Sequence, residues 1–217
     1  LAHPNVVTVF DVGEHEGGVY IAMELVEGLS LRDWLAETPR PWREVLGAYF
    51  QAGRGLAAAH DAGLVHRDFK PANVMVGDEG RVRVLDFGLA RSVHERDDAA
   101  PVFELEQTLE HSLISQTASQ TGSTSAFDHE LTATGAVLGT PAYMAPEQHQ
   151  GATATPLSDQ FSFGVVLYEA LYGERPFKGH SRAEYALNVC EGKIEIPSGA
   201  GVPAWLRKAV LRTLAPN

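Results

Sequence analysis

Apolar and polar positions change period several times along this chain, and each change marks a separate element. Val6 to Val12 and Val19 to Leu25 are short, β-rich apolar runs around Glu14-His15-Glu16-Gly17-Gly18, which predicts an antiparallel hairpin. Ser30 stands before Leu31-Arg32-Asp33-Trp34-Leu35, a short helix whose first turn a serine hydroxyl can cap. Val45, Tyr49, Ala52, Leu56 and Ala59 recur at spacings of three and four, predicting an amphipathic helix from about Trp42 to His60 that Gly63 ends. Val74-Met75-Val76 and Arg81 to Leu85 flank Gly77-Asp78-Glu79-Gly80, a second hairpin, leaving Asp86 at a strand end. Phe161 to Leu171 is nearly all apolar, too hydrophobic for a surface helix, and begins at Ser158 or Asp159. Pro176 and Phe177 close it, and two weaker helices follow, about Arg182 to Glu191 and Pro203 to Leu214.

The pattern fails between Ser92 and Val137. This stretch holds eight acidic residues against one basic residue, Arg96, with a Ser/Thr-rich run from Thr108 to Thr134. It has too little regular hydrophobicity to build a core, so disorder is expected over about 92–137. Val102, Leu105, Leu109 and Leu113 fall at helical spacing within it, which allows a transient helix or a docking helix.

Composition narrows the function classes. With 217 residues and 44% hydrophobic content the chain can bury one sizeable core. A net charge of −11 argues against nucleic acid as a partner, since non-specific binding needs a basic surface. The single cysteine, Cys190, excludes an internal disulfide and fits a reducing cytoplasm, where a small buried thiol is the ordinary reading. No apolar run reaches the roughly 20 residues of a membrane span, so a membrane anchor is possible only outside this sequence.

Candidate chemistry concentrates in His66-Arg67-Asp68-Phe69-Lys70-Pro71-Ala72-Asn73 and in Asp86-Phe87-Gly88. Asp68 can hold and deprotonate a hydroxyl, and Asn73 and Asp86 offer the hard oxygen donors that Mg²⁺ prefers. Lys70, two residues after Asp68, can steady a phosphate. These stretches resemble the catalytic loop and metal-binding signature of protein kinases. Gly139-Thr140-Pro141-Ala142-Tyr143-Met144-Ala145-Pro146-Glu147 resembles the end of the kinase activation segment.

The resemblance implies an α+β, protein-kinase-like fold. Residues 1–26 would be a remnant of the N-lobe with the hinge, and 27–217 a mainly helical C-lobe truncated at its C-terminus. It implies transfer of the ATP γ-phosphoryl group to serine or threonine hydroxyls of protein substrates. Asp68 would orient the hydroxyl and accept its proton. Asn73 and Asp86 would bind Mg²⁺ on the ATP phosphates, and Lys70 would stabilise the moving phosphoryl group. Thr140 would tie the substrate loop to Asp68 and Lys70. Adenine would meet the backbone of Glu24 and Val26 at the hinge, beside Met23, over a pocket floor formed by Met75. His66 and Phe87 would stack with Val9 in an apolar column. Asp159 would anchor the catalytic-loop backbone, because a buried carboxylate needs N–H partners. Arg67 and Arg91 would receive a phosphate on Thr132 or Thr134, the regulatory switch.

The same resemblance implies absences. Leu1-Ala2-His3-Pro4-Asn5-Val6-Val7 looks like the segment after the kinase αC helix, so the Gly-rich loop, strand lysine and helical glutamate would precede it. The arginine that pairs with Glu147 would lie just beyond Asn217. The chain alone is therefore expected to be inactive. Two further readings are weighed: a pseudokinase-like scaffold, which usually lacks Asp68, Asn73 or Asp86, and a small-molecule phosphotransferase, which lacks the 139–147 block. The Glu147-Gln148 ending points to the bacterial serine/threonine branch.

Overall fold

The computed structural model describes residues 1–15, 18–87, 141–196 and 201–215. Two small sheets lead into a helical layer. Strands β1 (Val9–His15) and β2 (Gly18–Met23) form an antiparallel hairpin, and Val9 pairs with Met23. Val6 and Val7, read from their apolarity as the start of this hairpin, leave it instead. Val6 bridges Val84 in parallel, and both residues are buried. A second, three-stranded sheet orders β3 (Gly28–Ser30), β4 (Val74–Gly77) and β5 (Val82–Val84) antiparallel. Val74, Val76, Val82 and Val84 are buried, as is Arg83, while Met75 stays half-exposed.

Helix α1 (Leu31–Glu37) starts where expected, with the Ser30 hydroxyl accepting the Asp33 N–H at 3.1 Å. Helix α2 (Trp42–Asp61) buries Val45, Tyr49, Ala52, Leu56 and Ala59, the stripe its period predicts. Short helix α3 (Pro146–His149) is followed by α4 (Pro156–Tyr172), α5 (Arg182–Cys190) and α6 (Ala204–Thr213). Helix α4 begins earlier than its apolar run suggests. Thr155 caps it, Pro156 takes the first helical position, and Asp159 falls inside the first turn. It ends at Tyr172, before Pro176, because Gly173 adopts a left-handed φ of 75°.

The core lies between α2 and α4. Tyr49 is fully buried and donates its hydroxyl to the Val166 carbonyl at 2.9 Å. Phe163 meets the rings of both Tyr49 and Phe69, each at 5.7 Å. Each such side chain contributes roughly 1.5–3 kcal/mol of burial. That rigid layer carries the loop between α2 and β4.

Candidate active site

The chain leaves α2 through Leu64 and Val65 and enters a loop that Asp159 grips from α4. The Asp159 carboxylate accepts the N–H of His66 at 2.7 Å and of Arg67 at 2.8 Å, and lies 2.8 Å from His60 Nε2. It is 1% exposed, so these partners replace the water it lost on burial. The grip holds Arg67 at a φ of +71°, a left-handed backbone that L residues avoid. Asp86 is also left-handed, at +54°. Such strained backbone is commonly kept for function.

His66 is fully buried and its Nε2 lies 2.8 Å from the Leu85 carbonyl. Burial pulls its pKa below the ordinary histidine value, and the carboxylates of Asp159 and Asp68 only partly oppose that. A neutral ring with its proton on Nε2 satisfies both nitrogens, since Nδ1 then accepts the Asp68 N–H at 3.4 Å. The ring packs 4.9 Å from Phe87 and 5.6 Å from Phe69. Val9, expected in the same column, is 43% exposed on β1.

Asp68, Lys70 and Asn73 converge. Lys70 Nζ lies 2.6 Å from Asp68 Oδ2, and the Asn73 amide donates to the Asp68 carbonyl at 2.9 Å and to Oδ2 at 3.4 Å. Asn73 also accepts the Leu85 N–H on its own carbonyl at 2.9 Å, which sets it beside Asp86. With its nitrogen spent on Asp68, the amide of Asn73 keeps its oxygen for a cation. Asn73 and Asp86 are thus two hard donors, a set that suits a Mg²⁺ completed by phosphate oxygens and water. Among the described residues no cluster of three or more His, Cys, Asp or Glu could hold a metal alone.

A protein kinase domain profile matches residues 1–205. The chain is 37% identical to serine/threonine-protein kinase PknA of Mycobacterium tuberculosis over all of its own length and 44% of that relative's. It is 36% identical to PknL of the same organism, covering 97% of this chain and 45% of PknL. For PknB the identity is 35%, covering all of this chain and 31% of PknB. The chain belongs to the protein kinase family. It spans less than half the length of each of these relatives.

The positions expected to form the hinge, Glu24 to Val26, lie between β2 and β3. Glu24 donates its N–H to the Thr8 carbonyl at 2.8 Å, and its carboxylate pairs with Arg83 on β5 at 3.0 Å. Arg83 reaches Glu79 as well, at 2.8 Å. Val26 is half-buried, Met23 is exposed at the end of β2, and Met75 faces Arg83 across β4 and β5. Arg67 is half-buried near Asp68, whereas Arg91, Thr132, Thr134, Thr140 and the whole 92–137 stretch lie outside the described residues.

Two contributors, His60 and Gln148, have no role in the sequence reading, and a third, Glu147, is expected there only as the partner of an arginine. His60 supports Asp159 from the last turn of α2, and only tertiary placement reveals this. Glu147 accepts the Ser158 hydroxyl at 2.6 Å, tying α3 to the first turn of α4. Gln148 donates to the Arg67 carbonyl at 3.1 Å. Its one local signal was its place three residues after Ala145, where its Oε1 accepts the Ala145 N–H at 3.0 Å. Tyr143 packs beneath, donating its hydroxyl to Glu169 at 2.9 Å, and burial pushes its pKa to about 12.

Proposed function

We propose that the protein carrying this chain is a serine/threonine kinase that moves the γ-phosphoryl group of ATP onto protein hydroxyls. The observation that carries this reading is the Asp68 carboxylate, held between Lys70 and the Asn73 amide on a loop anchored by Asp159. Asp68 orients the substrate hydroxyl and takes its proton. The hydroxyl oxygen bonds to the γ-phosphorus while the bond to the β–γ bridging oxygen breaks, and ADP leaves. Lys70 neutralises charge on the moving group. Asn73 and Asp86 hold Mg²⁺, which when bound neutralises the phosphates and keeps them in line. The backbone of Glu24 and Val26 receives adenine, with Met75 as the floor. Positioning and charge supply most of the acceleration in such transfers, which is why so much hydrogen bonding is spent on one loop.

In this reading residues 1–26 belong to the smaller lobe and hinge, and 27–217 to the larger one. Thr140 links the substrate platform to Asp68. Regulation rests on Arg67 and Arg91, which receive a phosphate on Thr132 or Thr134. The site works in the cytoplasm on protein substrates and without nucleic acid. Among the described residues no helix is long and apolar enough to cross a membrane.

Two substitutions in the full-length protein test the assignment. Asp68→Asn should lower phosphate transfer by at least about 10³-fold while ATP affinity changes little. Asp86→Asn should weaken Mg²⁺-dependent nucleotide binding, read by calorimetric titration, because a charged metal ligand is lost. Equal loss of ATP affinity in both variants would refute the division of roles. Mass spectrometry after incubation with ATP, beside Asp68→Asn, locates autophosphorylation. Full activity of a Thr132→Ala, Thr134→Ala variant places the switch elsewhere.

A further inference from the structure

The peptide unit between Arg67 and Asp68 is fixed at both ends. Upstream, the Arg67 N–H is held by Asp159 at 2.8 Å. Its carbonyl accepts the side-chain amide of Gln148 at 3.1 Å, and the Asp68 N–H faces His66 Nδ1 at 3.4 Å. Arg67 sits at a φ of +71°, so this geometry persists only while its surroundings impose it. Gln148 stands on α3, directly after the Pro141–Glu147 block. Helix α3 is itself tied to α4 by the Ser158 hydroxyl on Glu147 at 2.6 Å. Asp159, Arg67, Gln148, Glu147 and Ser158 therefore close a ring through two helices and the loop.

We infer that Gln148 is a positioning residue for phosphoryl transfer. It orients the Arg67–Asp68 peptide, and with it the Asp68 carboxylate, according to whether α3 is seated. This inference rests on the kinase reading and adds to it a route from the end of the activation segment to the base. Rotation of the Arg67–Asp68 peptide by a few tens of degrees swings Asp68 relative to Lys70 and Asn73, and a misplacement of about 1 Å at a reacting group costs on the order of 10²-fold. The Gln148 amide supplies the hydrogen bond on the carbonyl face that opposes such rotation.

The side chain has two separable functions. Its oxygen caps α3 through the Ala145 N–H, and its nitrogen holds Arg67. Gln148→Glu keeps the cap and removes the donor to Arg67, whereas Gln148→Met removes both. The experiment measures kcat, KM for ATP, KM for a peptide substrate and the thermal midpoint in the full-length protein. Expected is a fall in kcat of about 5- to 10-fold in both variants, with KM for ATP within about twofold. The midpoint should drop only for Gln148→Met. A Gln148→Glu variant with wild-type kcat overturns the inference, as does a loss of kcat only in Gln148→Met that follows its fraction unfolded. A wild-type protein that transfers no phosphate overturns the kinase reading as well, and the two failures are thereby distinguished.

Discussion

The loop from His66 to Asn73 and the hairpin of β1 and β2 are both short segments at the edges of the larger helical layer. They are held in opposite ways. The loop is fixed from α4 by Asp159, from α3 by Gln148, by the Leu85 carbonyl just after β5, and by the packing of its own Phe69 on Phe163. The hairpin carries Phe10 at 70% exposure, and Val9, Val12, Val19 and Tyr20 are exposed as well. Its two strands are joined by their own ladder, the arrangement that is marginal for an isolated pair. Within these 217 residues the regular element has the fewer long-range partners and the irregular loop the more.

Four measurements can break or sharpen that contrast. Phe69→Ala should destabilise the protein by roughly 3–5 kcal/mol in urea unfolding, while Phe10→Ala changes it by less than about 0.5 kcal/mol. Comparable losses at both positions would mean that the hairpin is packed after all. Asp159→Asn should cost about 1.5–3 kcal/mol, because one accepting oxygen becomes a donor facing a backbone N–H. Asp11→Asn, whose exposed carboxylate accepts the Tyr20 hydroxyl at 2.8 Å and the N–H of its neighbour Val12 at 3.0 Å, should cost less than about 1 kcal/mol.

Acid should loosen the loop side selectively. Burial lowers the pKa of His66 from 6.5, and burial with the nearby Arg182 does the same for His149. Below 6.5 the unfolded chain takes up protons that these rings refuse in the folded state. Their contribution is therefore complete above about 6.5 and is lost as pH falls toward their folded values. Unfolding midpoints measured from pH 8 to pH 5 should decline on that limb, and His149→Gln should make the decline shallower. A flat profile would mean that neither ring is held neutral. Ser30→Ala should cost about 1 kcal/mol from loss of the α1 cap, read as a shift in the urea midpoint at unchanged slope.

Legibility in the sequence follows the same division. Helix α2 could be read because its stripe is local: every third or fourth side chain meets one surface. Asp68, Asn73 and Asp86 could be singled out because their residue types and spacing suit one chemistry, and the fold brings Asn73 beside Asp86 through the Leu85 bond. The start of α4 lies ahead of its apolar run because the Thr155-Pro156 capping signal, and not hydrophobicity, sets it. Val6 and Val7 were assigned to the wrong sheet since apolarity says that a residue is buried and not against what. His60 and Gln148 were invisible for a related reason. Each acts through a partner 81 or more positions away, which no local pattern encodes.

The passage of residues 3–7 between β5 and α2 has a kinetic consequence. The Asn5 side chain donates to the Val82 carbonyl at 2.8 Å, and its own carbonyl accepts the Val84 N–H at 2.9 Å. Val7 in turn donates to the Val84 carbonyl at 3.0 Å, and a methyl placed on Gly55 of α2 would lie 2.3 Å from the Asn5 oxygen. A strand so laced cannot peel off by itself, because its bonds and its close contact belong to two other elements. Its amides should exchange hydrogen for deuterium at the rate of β5 and the middle of α2, as one cooperative unit, while the amides of β1 a few residues later exchange much sooner.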